Sequence, residues 1–196
     1  MRAKDENKAI IIREKAMEMI VQEGFDGLSM HKLAKAAGIS VSTIYIYFKN
    51  REDLLNQLYV ETANLFISAM LKGFSPDMNF EAGLWQQWHN RYQHILRYPL
   101  HHRFWELFRN SPLIEKQDYS DEHTFKQAMR QFVSNAEQKG EIVTLPAEVF
   151  WAVAYGTFYT LIKFHLDNAS MSRGPFSLTD DILKQTFQLV MKSLRV

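Results

Sequence analysis

Met30-His31-Lys32-Leu33-Ala34-Lys35-Ala36-Ala37-Gly38-Ile39-Ser40-Val41-Ser42-Thr43-Ile44-Tyr45-Ile46-Tyr47-Phe48-Lys49 is the stretch on which the fold turns. Ala34, Gly38 and Ile44 stand at successive offsets of four and six. Two helices that cross steeply need a small side chain where they touch, which Ala34 provides. The sharp turn between them needs a positive φ, which Gly38 adopts without steric cost. The second helix needs an apolar anchor on the first, which Ile44 supplies with Leu33 and Ile39 beside it. Ser29 and Ser40 are placed to cap the two helices. The spacing predicts a helix-turn-helix over residues 30–49, whose second helix is of a size to enter the major groove of DNA.

Outward from this stretch, apolar residues recur at helical rather than alternating spacing, and there is no internal repeat. Proline and glycine number only 5 and 8 in 196 residues. The fold class expected is all-α, with about nine helices. A first helix over 6–23 carries Ile12, Ala16, Met19 and Ile20 on one face and stops at Gly24, followed by Phe25. Asn50 caps a long helix over 51–71, with Glu52 and Asp53 favourably placed in its first turn. The run Gly73-Phe74-Ser75-Pro76 breaks it. A fifth helix is read over 80–97, ended by Pro99, and a short one over 101–110 ends near Pro112. Another starts at Asp118 or Ser120 and reaches Gly140. The eighth has Pro146 in its first turn and reaches about Asn168. A loop over 170–175 precedes a last helix capped by Ser177 or Thr179 and ending at Leu194.

Charge divides unevenly along this plan. Residues 1–51 hold nine Lys/Arg against six Asp/Glu, and residues 52–196 hold fourteen against sixteen. A net of +3 on a net of −2 is the pattern expected when only the first part meets a phosphate backbone. The domain boundary is therefore drawn at 51/52: residues 1–51 for DNA and 52–196 for ligand binding and dimerisation. Without cysteine there is no disulfide framework or thiolate nucleophile, and a reducing cytoplasm is the expected home. The charged Met1–Lys8 stretch does not read as a secretory signal, and no run approaches the ~20 apolar residues that span a bilayer.

Residues 9–58 resemble the DNA-binding domain of the TetR family of bacterial transcriptional repressors. The resemblance rests on Ile12-x3-Ala16-x2-Met19-Ile20-x3-Gly24-Phe25, on Leu33 to Ser40, and most of all on Ser42-Thr43-Ile44-Tyr45-Ile46-Tyr47-Phe48-Lys49-Asn50-Arg51-Glu52-Asp53-Leu54-Leu55. It covers about a quarter of the chain. It implies that Thr43 and Tyr45 contact backbone or base edges, with Tyr47 beside them. It also implies that Lys49 and Arg51 meet phosphate and that His31 reaches the groove edge. Val41 and Ser42 join them in the first turn of the recognition helix, and Ser29 and Ser40 complete the expected DNA-binding set. Small hydroxyls and a valine cannot make arginine's bidentate contact to guanine, so methyl contacts, tyrosine contacts and DNA shape are expected to dominate specificity.

All four tryptophans lie beyond residue 80. Trp85, Trp88, His89 and Tyr92 recur at helical offsets, followed by Trp105 and Phe108 and then by Phe125 and Met129. Aromatics so spaced usually form core. An apolar cavity for a small, apolar or aromatic effector is the sharper expectation, with Gln86, His89, Arg91, Tyr92 and His94 as its polar groups. Ala152, Gly156 and Thr160 form a stripe of small residues, and Leu183, Phe187 and Val190 an apolar one. Together they suit a four-helix interface in a homodimer, as a palindromic operator on double-stranded DNA requires. An intramolecular core helix fits the same pattern.

His101, His102 and Glu106 place a histidine and a carboxylate one turn apart. No third ligand follows at a fixed spacing, so no metal or cofactor is expected. Neither GxSxG, HExxH nor a glycine-rich phosphate loop is present, so the chain does not read as an enzyme. The expected function is a homodimeric, ligand-responsive transcriptional repressor. The alternative is a small-molecule-binding helical protein or enzyme with a vestigial helix-turn-helix.

Overall fold

The computed structural model describes residues 6–109, 111, 120–169, 171 and 174–196. Among the described residues there are nine helices and no strand. In chain order they are α1 (Glu6–Glu23), α2 (Met30–Ala36), α3 (Val41–Tyr47), α4 (Arg51–Leu71), α5 (Phe80–Arg97), α6 (Pro99–Arg109), α7 (Ser120–Gln138), α8 (147–166) and α9 (Asp180–Leu194). A 3₁₀ turn, Phe25–Gly27, follows α1, and α8 runs through a π-helical stretch, Ala152–Gly156. Pro112 and Asp118, and residues 170, 172 and 173 of the expected loop, lie outside the described residues.

Local chemistry sets most of the helix ends. Gly24 closes α1 at φ 75°, its N–H donating to the Ile20 carbonyl at 2.9 Å. The Asn79 side chain caps α5 by accepting from the Ala82 N–H at 2.8 Å. Of the two alternatives for α9, it is the Thr179 hydroxyl that accepts from the Ile182 N–H at 3.3 Å. The helix after α5 starts at Pro99 rather than His101. The ring that ends one helix is preorganised for the first turn of the next, where its missing N–H costs nothing.

The helices pack into two compact units. One takes the described residues up to Phe66 and those between Arg97 and Glu122; the other takes Ile67–Leu96 and His123–Val196. The division by packing therefore differs from the division by role at 51/52, and α4 gives residues to both units.

The core of the first unit gathers Ile12, Ala16 and Ile20 from α1, Leu33 and Ala34 from α2, and Ile44 from α3. Phe48, Leu54 and Leu58 complete it with Phe104 and Phe108 from α6. Two residues expected in an effector pocket are thereby corrected. Phe108 stacks on Tyr59 with ring centres 4.9 Å apart, and Trp105 stacks on Phe66 at 5.1 Å. Both belong to the first unit because α6 turns its apolar face there.

The second unit is built on one face of α5: Phe80, Leu84, Trp88, Tyr92 and Ile95. Met129, Phe132 and Ala136 of α7, Phe150, Ala154, Tyr155 and Phe158 of α8, and Leu183, Phe187 and Val190 of α9 close around it. The last three were expected at an interface with a second chain. They are buried in their own core, so α9 turns this stripe inward. Gly83 allows the closest approach: a Cβ there would lie 2.4 Å from the Phe132 ring. Polar groups inside this unit are matched to carbonyls. The Trp88 indole donates to Ala154 O at 2.8 Å and the Tyr92 hydroxyl to Leu178 O at 2.8 Å. Gln87 and Asn90 donate to Met70 O at 2.8 and 3.0 Å, satisfying a carbonyl left open at the end of α4.

Candidate nucleic-acid interface

Short-range hydrogen bonds assemble the helix-turn-helix. The Ser29 hydroxyl accepts from the Lys32 N–H at 3.2 Å and starts α2. Gly38 takes φ 67° in the turn, and the Ile39 N–H donates back to Ala34 O at 3.0 Å. Ser40 then caps α3 by accepting from the Thr43 N–H at 3.2 Å, while its hydroxyl lies 2.8 Å from those of Ser42 and Thr43. Ile44 is fully buried, which fixes the rotation of α3 about its axis. After α3, the Lys49 N–H donates to Asp53 Oδ2 at 2.7 Å and the Asp53 N–H to Asn50 Oδ1 at 2.8 Å. This reciprocal arrangement begins α4.

With Ile44 and Phe48 inward, Ser42, Tyr45 and Ile46 of α3 are exposed, as is Lys49 just beyond its end. Tyr45 and Ile46 are 52% and 53% exposed. An aromatic and a branched aliphatic side chain held in water on a seven-residue helix form a surface that gains by being covered. Ile46 was absent from the expected set, although the same periodicity that exposes Tyr45 exposes it. His31, on α2, is exposed as well, and Val41 and Thr43 are half-buried.

Two expected DNA contacts find other uses. Arg51 donates through Nε to Leu28 O at 3.0 Å and through Nη2 to Phe25 O. Its guanidinium thus ties the start of α4 to the turn before α2. Tyr47 is half-buried against the core of this unit, 6.5 Å from the Phe48 ring.

Residues 12–58 match the family model described as bacterial regulatory proteins, tetR family. The helix-turn-helix segment is thus similar to the DNA-binding domain of TetR-family regulators. A TetR-family transcription regulator from Marinobacter aquaeolei VT8 superposes with a TM-score of 0.78 at 25% identity, over 99% of this chain and 98% of that one. An uncharacterised HTH-type transcriptional regulator of Haemophilus influenzae is 38% identical over 72 residues, 37% of this chain and 38% of its own. The fatty acid metabolism regulator protein of Bacillus subtilis is 41% identical over 63 residues, 32% of each chain. The matched stretch thus spans only about a third of the length of these curated relatives.

Beyond the helix-turn-helix, the residues expected in a pocket separate. Trp88, Tyr92 and Met129 are core, and Phe125 is half-buried against it. His89 is exposed, its ring 6.5 Å from that of Trp85. Trp85 lines an open groove of about 420 Å³ with Phe187, Asn79, Glu81, Ala82, Lys184 and Gln188. Of the expected interface stripe, Ala152 and Thr160 are exposed and Gly156 is half-buried. No group of three potential metal ligands occurs among the described residues. His102 Nε2 lies 3.7 Å from Glu106. His101 has its pKa lowered by burial, which outweighs the opposing pull of Glu61 and Glu14.

Proposed function

We propose that this protein is a homodimeric transcriptional repressor that occupies a pseudo-palindromic operator and leaves it when a small apolar or aromatic molecule binds the second unit. The observation that carries the reading is the outward face of α3. Ser42, Tyr45 and Ile46 of α3 offer a hydroxyl, a phenol and an aliphatic surface, and Lys49, two residues past the helix, adds a cation. The phenol and cation suit phosphates, and the isoleucine suits a thymine methyl group.

A palindrome read in two successive major grooves needs two recognition helices ~34–36 Å apart, hence two chains. The small-residue stripe of α8 supports the pairing, since it permits close helix approach. It continues into Val149 and Trp151 of α8, both exposed, while α9 exposes Leu189 at 58%. The effector acts through its different affinity for the DNA-binding and released states. A coupling of ~1–3 kcal/mol gives roughly 5–150-fold release.

The test is selection of bound DNA from a random-sequence pool at near-physiological salt. An inverted repeat is the expected result. Recovery of nothing above background, both before and after refolding to strip bound ligand, would defeat the proposal.

A further inference from the structure

The exposed side of α3 lacks the residues that usually read base edges. Its seven residues, Val41–Tyr47, include no Arg, Lys, Asn, Gln, Asp or Glu. Those are the side chains whose fixed donors and acceptors tell one base edge from another. What α3 exposes instead is the Ser42 hydroxyl, the Tyr45 ring with its phenol, and the Ile46 side chain. Ile44 on the opposite side is fully buried, so α3 cannot roll to hide Ile46 without lifting its anchor from the core.

The polar groups of this helix discriminate poorly. A hydroxyl donates or accepts a hydrogen bond according to what faces it. The Ser40 oxygen lies 2.8 Å from those of Ser42 and Thr43, and either member of each pair can be the donor. Proton directions in this cluster can reverse with no movement of heavy atoms. It therefore meets the O4 acceptor of thymine and the N4 amino group of cytosine alike. The two pyrimidines differ further at C5, where thymine carries a methyl group and cytosine a hydrogen. Of the three exposed side chains of α3, Ile46 alone has no polar atom. A hydrocarbon gains by covering that methyl group and gains nothing from the polar groups beside it.

We propose that Ile46 reads the C5-methyl group of a pyrimidine, so that the protein accepts 5-methylcytosine in place of thymine and separates methylated from unmethylated cytosine in its operator. This rests on the DNA-binding reading above and deepens it by naming the feature of the DNA that is read. A T·A pair opposite Ile46 can be exchanged for 5-methylcytosine·G with little loss, but not for C·G. Methylation of a cytosine at that position thus turns a weak site into a strong one.

The experiment uses the full chain and the operator selected from the random-sequence pool. Each thymine of the half-site is replaced in turn by deoxyuridine, in both half-sites at once. This removes the methyl group and keeps every hydrogen-bonding group of the base edge. At one position the affinity falls about fourfold per half-site, or about fifteenfold in all, the worth of one buried methyl group on each side. C·G at that position weakens binding at least as much, and 5-methylcytosine·G restores it to within about threefold of T·A. Ile46 is outside the core, so Ile46→Ala keeps the fold, and this variant binds the thymine and deoxyuridine operators equally. Ile46→Val, shorter by one carbon, retains part of the difference.

An operator whose half-sites hold no thymine, or whose affinity ignores the methyl group at every position, overturns the inference and leaves the regulator reading standing. So does 5-methylcytosine that binds no better than cytosine. A methyl dependence that persists at full size in Ile46→Ala overturns it too, since the methyl group would then act through the shape of the DNA or another side chain. Failure to recover any operator, before and after refolding, overturns the regulator reading and this inference with it.

Discussion

The two units handle polar side chains in opposite ways. The first exposes Ser42 and Tyr45 on α3 and Lys49 just past it, and fills most of its interior with aliphatic and aromatic groups. The second encloses Gln87, Asn90, Arg91 and the hydroxyl of Tyr155, and matches many of its interior polar atoms to carbonyls. An outward polar face can be satisfied only by something outside the chain, with room for a surface as large as a DNA groove. An enclosed polar group can be reached only by a molecule small enough to enter. One chain thus carries two kinds of polar surroundings, and substitutions should separate them. Changes on the first face should leave folding alone and alter binding, whereas changes inside the second unit should alter folding.

The largest expected contrast pairs Trp88→Ala with Tyr45→Ala. Trp88 is fully buried, with its ring 5.2 Å from Phe158 and 5.4 Å from Phe187. Its truncation leaves a cavity and strips Ala154 O of its donor, at a cost of about 3–5 kcal/mol. Tyr45→Ala should shift stability by no more than about 0.5 kcal/mol. Denaturant midpoints followed by circular dichroism decide the matter. Equal shifts in the two variants would break the comparison outright.

Next comes alkaline unfolding. The folded chain holds the Tyr155 proton more tightly than the unfolded chain does, with a pKa moved from 10.0 to about 12. The stabilising contribution is therefore whole below pH 10 and is lost as pH rises through 12. Two pKa units correspond to roughly 3 kcal/mol. Burial raises the Tyr92 pKa as well, with Asp180 adding to it, so the slope has a second contributor of the same sign. In Tyr155→Phe the loss of stability across this window should shrink but not vanish. At neutral pH the variant should be as stable as wild type or more so, since a buried hydroxyl without a partner among the described residues is removed. A destabilised Tyr155→Phe at neutral pH would show that the hydroxyl is satisfied after all.

Gly83→Ala sharpens the picture of the second interior. The added methyl would fall 2.4 and 2.6 Å from two ring atoms of Phe132. That ring stacks on Phe80 at 5.4 Å and meets Phe74 edge-on at 5.1 Å, so it has little space in which to retreat. A cost of about 1–3 kcal/mol is expected, measurable as a lowered denaturant midpoint. An unchanged midpoint would mean that this interior repacks freely.

The first unit was legible because its causes are local. Ser29, Ser40 and Asn50 each reach a backbone N–H three residues on, and Gly24 and Gly38 take the positive φ their turns require. What the sequence did not show comes from contacts between residues far apart along it. Arg51 read as a phosphate ligand, yet it donates to carbonyls 23 and 26 residues earlier. Trp105 and Phe108 follow closely on Trp85 and Trp88 in sequence, but α6 packs them in the other unit. Periodicity marked Leu183, Phe187 and Val190 as one apolar face of α9. It carries no information on whether a second chain or the same chain covers that face. Tyr155 escaped notice for a different reason: a π-helical stretch alters the helical register, so a 3.6-residue period does not mark which side of α8 it faces.

The smallest effect expected on folding is also the cleanest test of the outward face. Lys49 is exposed, and only its main-chain N–H, not its ammonium, takes part in the cap formed with Asp53. Lys49→Ala should therefore leave the denaturant midpoint in place. If the ammonium meets a phosphate, its removal should weaken every DNA sequence alike and lower the slope of log affinity against log salt by about 0.9. Ile46→Ala should do the reverse, leaving the salt slope unchanged while relaxing preference at one base pair, where the lost contact is with a methyl group rather than a charge. Measured together on the selected operator and on a scrambled duplex, the two variants divide the face into a part that holds DNA and a part that reads it. A salt slope unchanged in Lys49→Ala would remove this lysine from the phosphate contacts. The grip on the backbone would then fall to the remaining guanidinium N–H groups of Arg51, to Tyr45 and to the hydroxyls at the start of α3.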